Sequence, residues 1–187
     1  MTEVSFTSRI VPVSISQFGN ITSVIGGASH VKFPWGIAQS LVRKDVYTRD
    51  IADCTACLIT DGQKAVLMHL NPESSVNHCF LYVREFLRNN FGLNRPDLQA
   101  LVVGSKNTEK SLDIYNKFKS LMKEANIPTS FLKNSKNPVS VAYRSQTDEI
   151  YVSSIDITKG LIDKKSHPDI INSSFEKAEI SPFDEIA

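Results

Sequence analysis

The sequence predicts an α+β domain: a mixed or antiparallel β-sheet core with two main helices packed on it, a layered sandwich. Three observations predict it. Residues 75–90 and 108–125 each carry apolar side chains at helical spacing. Short β-prone runs surround them, punctuated by Gly, Pro, Asn and Asp. Two of these runs, Thr55–Thr60 and Ala65–Met68, are split by Asp61-Gly62. That dipeptide is a strong hairpin signal, because both central residues of a two-residue turn must tolerate positive φ. The predicted order is β-β-β-α-β-α-β-β-β, with the helices on one layer of strands.

Taken in order, residues 1–47 read as β-prone and rich in Ser and Gly. Arg9-Ile10-Val11 and Val13-Ser14-Ile15 form a candidate strand that Pro12, which cannot donate to a ladder, restricts to an edge. Gly26-Gly27 interrupts the run Ile21–Ile25. Phe33-Pro34-Trp35-Gly36 holds the single tryptophan, either a loop anchored by buried aromatics or a lip over a site. Leu41–Tyr47 leads as a strand into Thr48, and the hairpin follows. Asn71-Pro72 stops it, and Ser74 or Ser75 caps the helix that carries Val76, Phe80, Val83 and Leu87. Gly92 suits the left-handed residue that closes such a helix.

Leu98–Val103 is a strand-length apolar run before Gly104. Asn107 or Thr108 caps the second helix, whose apolar face is assigned to Leu112, Tyr115, Phe118, Leu121, Met122 and Ala125. Asn126-Ile127-Pro128 ends it. Thr129–Leu132, Val139–Tyr143 and Ile150–Ser153 read as strands, the last two joined by the turn Ser145–Asp148. The expected organisation is an extension over 1–40 packed on the core, a main domain over 41–159 and an acidic, mobile tail over 160–187.

Composition narrows the function. The chain has 187 residues, a formal net charge of +1 and 41% hydrophobic residues, ordinary for one globular domain. No run of ~18 apolar residues is present, so membrane insertion is not expected. Near-neutral charge argues against a nucleic-acid partner. Three cysteines, at 54, 57 and 79, fit a reducing, cytoplasmic compartment better than a disulfide framework. Residues 105–136 carry seven Lys against three acids, a solvated helix face or a docking patch for an acidic partner.

The chemistry lies in the hairpin. Cys54 opens the first arm and His69 closes the second, so the fold brings a thiol and an imidazole to one edge. An imidazolium beside a thiol stabilises the thiolate, the nucleophilic form. Thr48 can orient the imidazole, with Asp45, Asp50 and Asp53 as rivals. Backbone N–H groups around Cys54 can supply an oxyanion hole. Cys54-x-x-Cys57 also admits zinc or redox chemistry, with His69 and His78-Cys79 to supply a second ligand pair. His30 and His167 have no evident partner. A Cys and a His in one hairpin are also ordinary core and surface residues, and the alternative is a non-catalytic interaction module.

Thr48-x5-Cys54, a strand, a turn and then Met68-His69-Leu70-Asn71-Pro72 resembles the CheD-type chemoreceptor glutamine deamidases. The element order over about residues 41–155 follows the same family. The resemblance implies a Cys54, His69 and Thr48 triad, shared with the cytotoxic necrotizing factor class of toxins. It implies conversion of a glutamine side chain on a protein substrate to glutamate, with release of ammonia and with no metal or organic cofactor. The chain departs from the family at Ala52-Asp53, at Ser105-Lys106-Asn107 and at Lys136–Val141, where glycine-rich loops are usual. These departures point to a target other than chemoreceptors. The toxin parallel adds delivery into another cell as an expectation.

Overall fold

A computed structural model describes residues 8–24, 29–30, 37–40, 45–72, 81, 84–85, 87–91, 97–104, 108–133 and 137–163. The strands are β1 (Arg9–Pro12), β2 (Ser29–His30), β3 (Ile37–Ser40), β4 (Val46–Ile51), β5 (Thr55–Thr60), β6 (Ala65–Leu70), β7 (Gln99–Gly104), β8 (Thr129–Lys133), β9 (Val139–Arg144) and β10 (Glu149–Ser153). The helices are α1 (Ile15–Val24), α3 (Glu109–Glu124) and α4 (Ile155–Asp163). We label as α2 the helical residues 81, 84, 85 and 87–90.

The strands form two five-stranded sheets. The first has the order β1-β10-β9-β4-β2 and the second β3-β6-β5-β7-β8. Each is mixed: β1 runs parallel to β10 and β2 to β4, and β8 runs parallel to β7, with antiparallel pairs between. The architecture is α+β, as the alternation of runs predicts. Residues 9–40, read from sequence as an extension, contribute strands to both sheets.

The alternation of side chains along each strand sorts the core into layers. On β5, Ala56 and Leu58 face the other sheet and pack with Val46, Tyr143, Ile150 and Val152. Their neighbours Cys57 and Ile59 face the opposite way and pack with Ile114, Phe118, Leu121 and Met122 of α3. On the first sheet, Ala142 and Tyr151 point outward onto Phe18 of α1. The order of layers is helix, sheet, sheet, helix. Every residue of β5, β6 and β7 is buried. Strands covered on both faces read as unbroken apolar runs, which is why Thr55–Thr60 and Leu98–Val103 are conspicuous in the sequence.

Four expectations need correction. Residues 15–24 form a helix, although their Ile and Val content reads as β-prone. Its start is a reciprocal cap: the Gln17 N–H donates to Ser14 Oγ at 3.2 Å and the Ser14 N–H donates to Gln17 Oε1 at 2.9 Å. Ser-x-x-Gln is a capping box, worth about 1 kcal/mol, and is the signal that overrides the propensity.

The second correction is α4, which spans the expected boundary at 159/160 and is capped by Ser154, whose Oγ accepts from the Ile157 N–H at 3.1 Å. Third, Leu112 is 41% exposed, while Ser111 and Ile114 take buried positions on α3. Fourth, the β5–β6 connection is the four-residue loop Asp61–Lys64, since Thr60 pairs with Ala65. Asp61 Oδ1 accepts from the N–H groups of Gln63 and Lys64, and only Gly62 of the loop takes a positive φ, 80°. An Asx turn therefore replaces the two-residue turn.

Phe33–Gly36, the caps expected at Ser74 and Asn107, Gly92, His78, Cys79, His167 and the tail from 164 lie outside the described residues. No helix among the described residues is long and apolar enough to cross a membrane.

Candidate active site

The loop length decides how Cys54 meets His69. A two-residue turn would set the two directly opposite each other. The four-residue loop slides the pairing by two positions, so His69 lies opposite Ala56. A slide of two leaves every side chain on its own face, whereas a slide of one would have reversed them. Ala56 faces the other sheet, so His69 does too. Cys54, two residues before Ala56, packs against the same inter-sheet core and is a diagonal neighbour of His69.

Thr48 reaches the pair from the first sheet. On β4 the alternation puts Val46 and Thr48 toward the second sheet, and both are fully buried. Thr48 Oγ1 lies 2.6 Å from His69 Nδ1. Just beyond, β4 carries a bulge: Thr48 pairs with Val141 but Ile51 with Val139, so three steps on β4 match two on β9. The extra residue leaves Asp50 at φ 57° and turns Ile51, with no exposure, into the core. Bulges of this kind re-aim a strand. Here the strand is sent across to the second sheet through Ala52 and Asp53, and Cys54 stands where β5 begins.

Burial separates the roles. His69 is 3% exposed and Thr48 is sealed from solvent, while Cys54 is half-buried. The thiol is thus the group that an approaching molecule meets first. Burial, and secondarily the Asp53 carboxylate, push the Cys54 thiol up from its ordinary value. Both favour the neutral thiol, and both oppose the stabilisation that an imidazolium would bring.

Among the rival orienting groups, Asp45 accepts from the Ser145 N–H at 2.9 Å and from Ser145 Oγ at 3.3 Å, so it closes the β9–β10 turn. Asp50 and Asp53 are exposed. Thr48 is the residue whose side chain meets Nδ1. Cys54 and Cys57 point to opposite faces of β5, which prevents them from chelating one ion. Among the described residues no group of three or more His, Cys, Asp or Glu is arranged to hold a metal. His30 lies on β2, where it pairs with Tyr47 of β4.

Two neighbours of Cys54 escape a sequence reading. Ser111 Oγ, on the first turn of α3, donates to the Asp53 carbonyl at 2.7 Å. Gly104, at the end of β7, leaves no room for a side chain: a Cβ there would stand 2.6 Å from Thr55 Oγ1 and 3.1 Å from the Cys54 carbonyl oxygen. A glycine that ends a strand and a serine three places after a helix cap are too common to single out from sequence. No protein-family model matches the chain, and no curated protein matches it significantly.

Proposed function

We propose that this protein is a cysteine-dependent amidohydrolase that deamidates glutamine side chains of a protein substrate. The observation that carries the reading is the contact of Thr48 Oγ1 with His69 Nδ1 at 2.6 Å, on the face that Cys54 shares. A buried hydroxyl holding one nitrogen of an imidazole fixes the ring, and the other nitrogen is left to handle a proton. The resemblance of Thr48-x5-Cys54 and Met68–Pro72 to CheD-type deamidases supports the same roles.

The route follows from the burial. With Cys54 held as a thiol, the nucleophile forms by proton transfer to His69 as the carboxamide arrives, so His69 acts first as general base. For that, the Nδ1–H donates a hydrogen bond to Thr48 Oγ1, and Nε2 is the nitrogen that takes the thiol proton as the substrate seats. Sγ adds to the carboxamide carbon, and backbone N–H groups near Cys54 take the oxyanion. His69 returns the proton to the leaving nitrogen, which departs as ammonia. Water, deprotonated by His69, cleaves the thioester to give glutamate and restore the thiol.

A second reading, an interaction module with an idle triad, is favoured by the raised Cys54 thiol. Alkylation separates the two. Iodoacetamide rates at Cys54, located by mass spectrometry, are measured against pH in wild type and His69→Ala. A rate at neutral pH that falls in His69→Ala supports a working pair. Equal rates overturn it. Glutamine-to-glutamate conversion in a whole-cell lysate treated with wild type, absent with Cys54→Ala, is the test of the reaction class.

A further inference from the structure

We infer that Ser111 is a positioning residue for Cys54, holding the peptide that carries the thiol on the face it shares with His69. The inference rests on the triad reading above and deepens it. Ser111 has no exposure, yet its side chain is fully used. Thr108 Oγ1 donates to Ser111 Oγ at 2.7 Å, and Ser111 Oγ donates to the Asp53 carbonyl oxygen at 2.7 Å. Thr108 is itself the cap of α3 and accepts from the Ser111 N–H at 3.3 Å. The result is a directed chain from the cap of a sixteen-residue helix to the residue before the nucleophile. Its length and packing make α3 a rigid anchor: Ile114, Phe118, Leu121 and Met122 lock it on the second sheet.

The grip has a second side. Gly104 lies against Thr55 and Cys54 so closely that a Cβ would sit 3.0 Å from the Thr55 Cα. Segment 53–55 is therefore held by α3 on one side of Cys54 and by the β7 backbone on the other. This matters because Cys54 sits at the end of its strand, immediately before the first ladder pair, Thr55 with Leu70. The ladder alone does not fix its backbone. A thiol one ångström out of line loses much of its proton-transfer geometry with the imidazole.

The test uses the full chain and iodoacetamide as probe. The pH profile of Cys54 alkylation is recorded in wild type, Ser111→Ala and Ser111→Thr, with Cys57 alkylation in the same samples as the measure of opening. Cys57 is wholly buried, so local unfolding exposes it. Ser111→Ala is expected to slow Cys54 alkylation at neutral pH by roughly three- to tenfold, the range one lost hydrogen bond commands, and to displace the profile. Ser111→Thr restores it, and Cys57 stays unlabelled. A profile unchanged in Ser111→Ala, or a change matched by Cys57 labelling, overturns the inference. Should Ser111→Ala fail to fold, Thr108→Ala, at an exposed position, removes the donor end of the same chain and is read identically. His69→Ala distinguishes the two claims. If it alone alters the profile, the triad stands and the role of Ser111 fails. If Ser111→Ala alone does, the triad fails and the positioning of the thiol for His69 fails with it; if neither does, both are overturned.

Discussion

Thr48 and His69, 21 positions apart and in different sheets, meet at 2.6 Å between Oγ1 and Nδ1 inside the sandwich. The contact crosses the inter-sheet core, so it exists only when both sheets are assembled. Thr48→Val keeps the shape and removes the hydroxyl. It is expected to cost about 1–3 kcal/mol, the range for a buried polar group that loses a partner, and to slow Cys54 alkylation. Thr48→Ser is expected to recover most of both. Urea midpoints and alkylation rates on the three proteins check this.

Asp53 adds to the burial that keeps the thiol protonated. Its carboxylate is the second cause, after burial, that holds Cys54 above its ordinary value. Asp53→Asn removes a charge that disfavours the thiolate, so the pH midpoint of alkylation moves down and the neutral-pH rate rises. A midpoint that moves up, or stays, contradicts the assignment.

Cys57 gives the protein an alkaline limit. Complete burial drives its thiol far above the usual range. Folding then favours the protonated form. That stability is present below the unfolded value of about 9.0 and is lost as pH rises beyond it, while the folded thiol stays protonated. Cys57→Ala is expected to lower stability near neutrality by about 1 kcal/mol through the vacated volume. It should also reduce the decline above about pH 9 by up to about 1.4 kcal/mol per pH unit. Urea unfolding of both proteins across that range reads the difference in slope.

Asp50 stores a little backbone strain two residues after Thr48. Its φ of 57° is left-handed, and its side chain is exposed. Asp50→Gly is expected to be neutral or to stabilise by up to about 1 kcal/mol. Asp50→Val, branched at Cβ, is expected to destabilise by a similar or larger amount and to disturb the bulge that turns β4 toward Cys54. Denaturant midpoints for the two variants should move in opposite directions or differ clearly in size.

Local rules made much of this fold legible in the chain. The hairpin around Asp61-Gly62, the central strand at 98–103, the helix of 109–124 and the terminal hairpin of β9 and β10 all follow from periodicity and turn residues that act within a few positions. The shared face of Cys54 and His69 is of the same kind, because strand alternation survives a two-residue error in loop length. Where the sequence misled, a local signal was present but weaker to the eye than β propensity: the Ser14 and Gln17 cap of α1, and Ser154 ahead of α4.

Only the tertiary structure decided the rest. Thr48 rather than Asp45 meets the imidazole because the two sheets stack face to face and β4 presents Thr48 inward, a relation that no spacing along one strand contains. Cys57 is removed from Cys54 by the two-sided burial of β5. The burial that is the larger cause of the raised Cys54 thiol is a product of tertiary packing, and the grip of Ser111 and Gly104 on Cys54 depends on groups 50 or more positions away. Alternation and turn chemistry are properties of neighbours in the chain; burial, dielectric environment and cross-sheet contact are properties of neighbours in space.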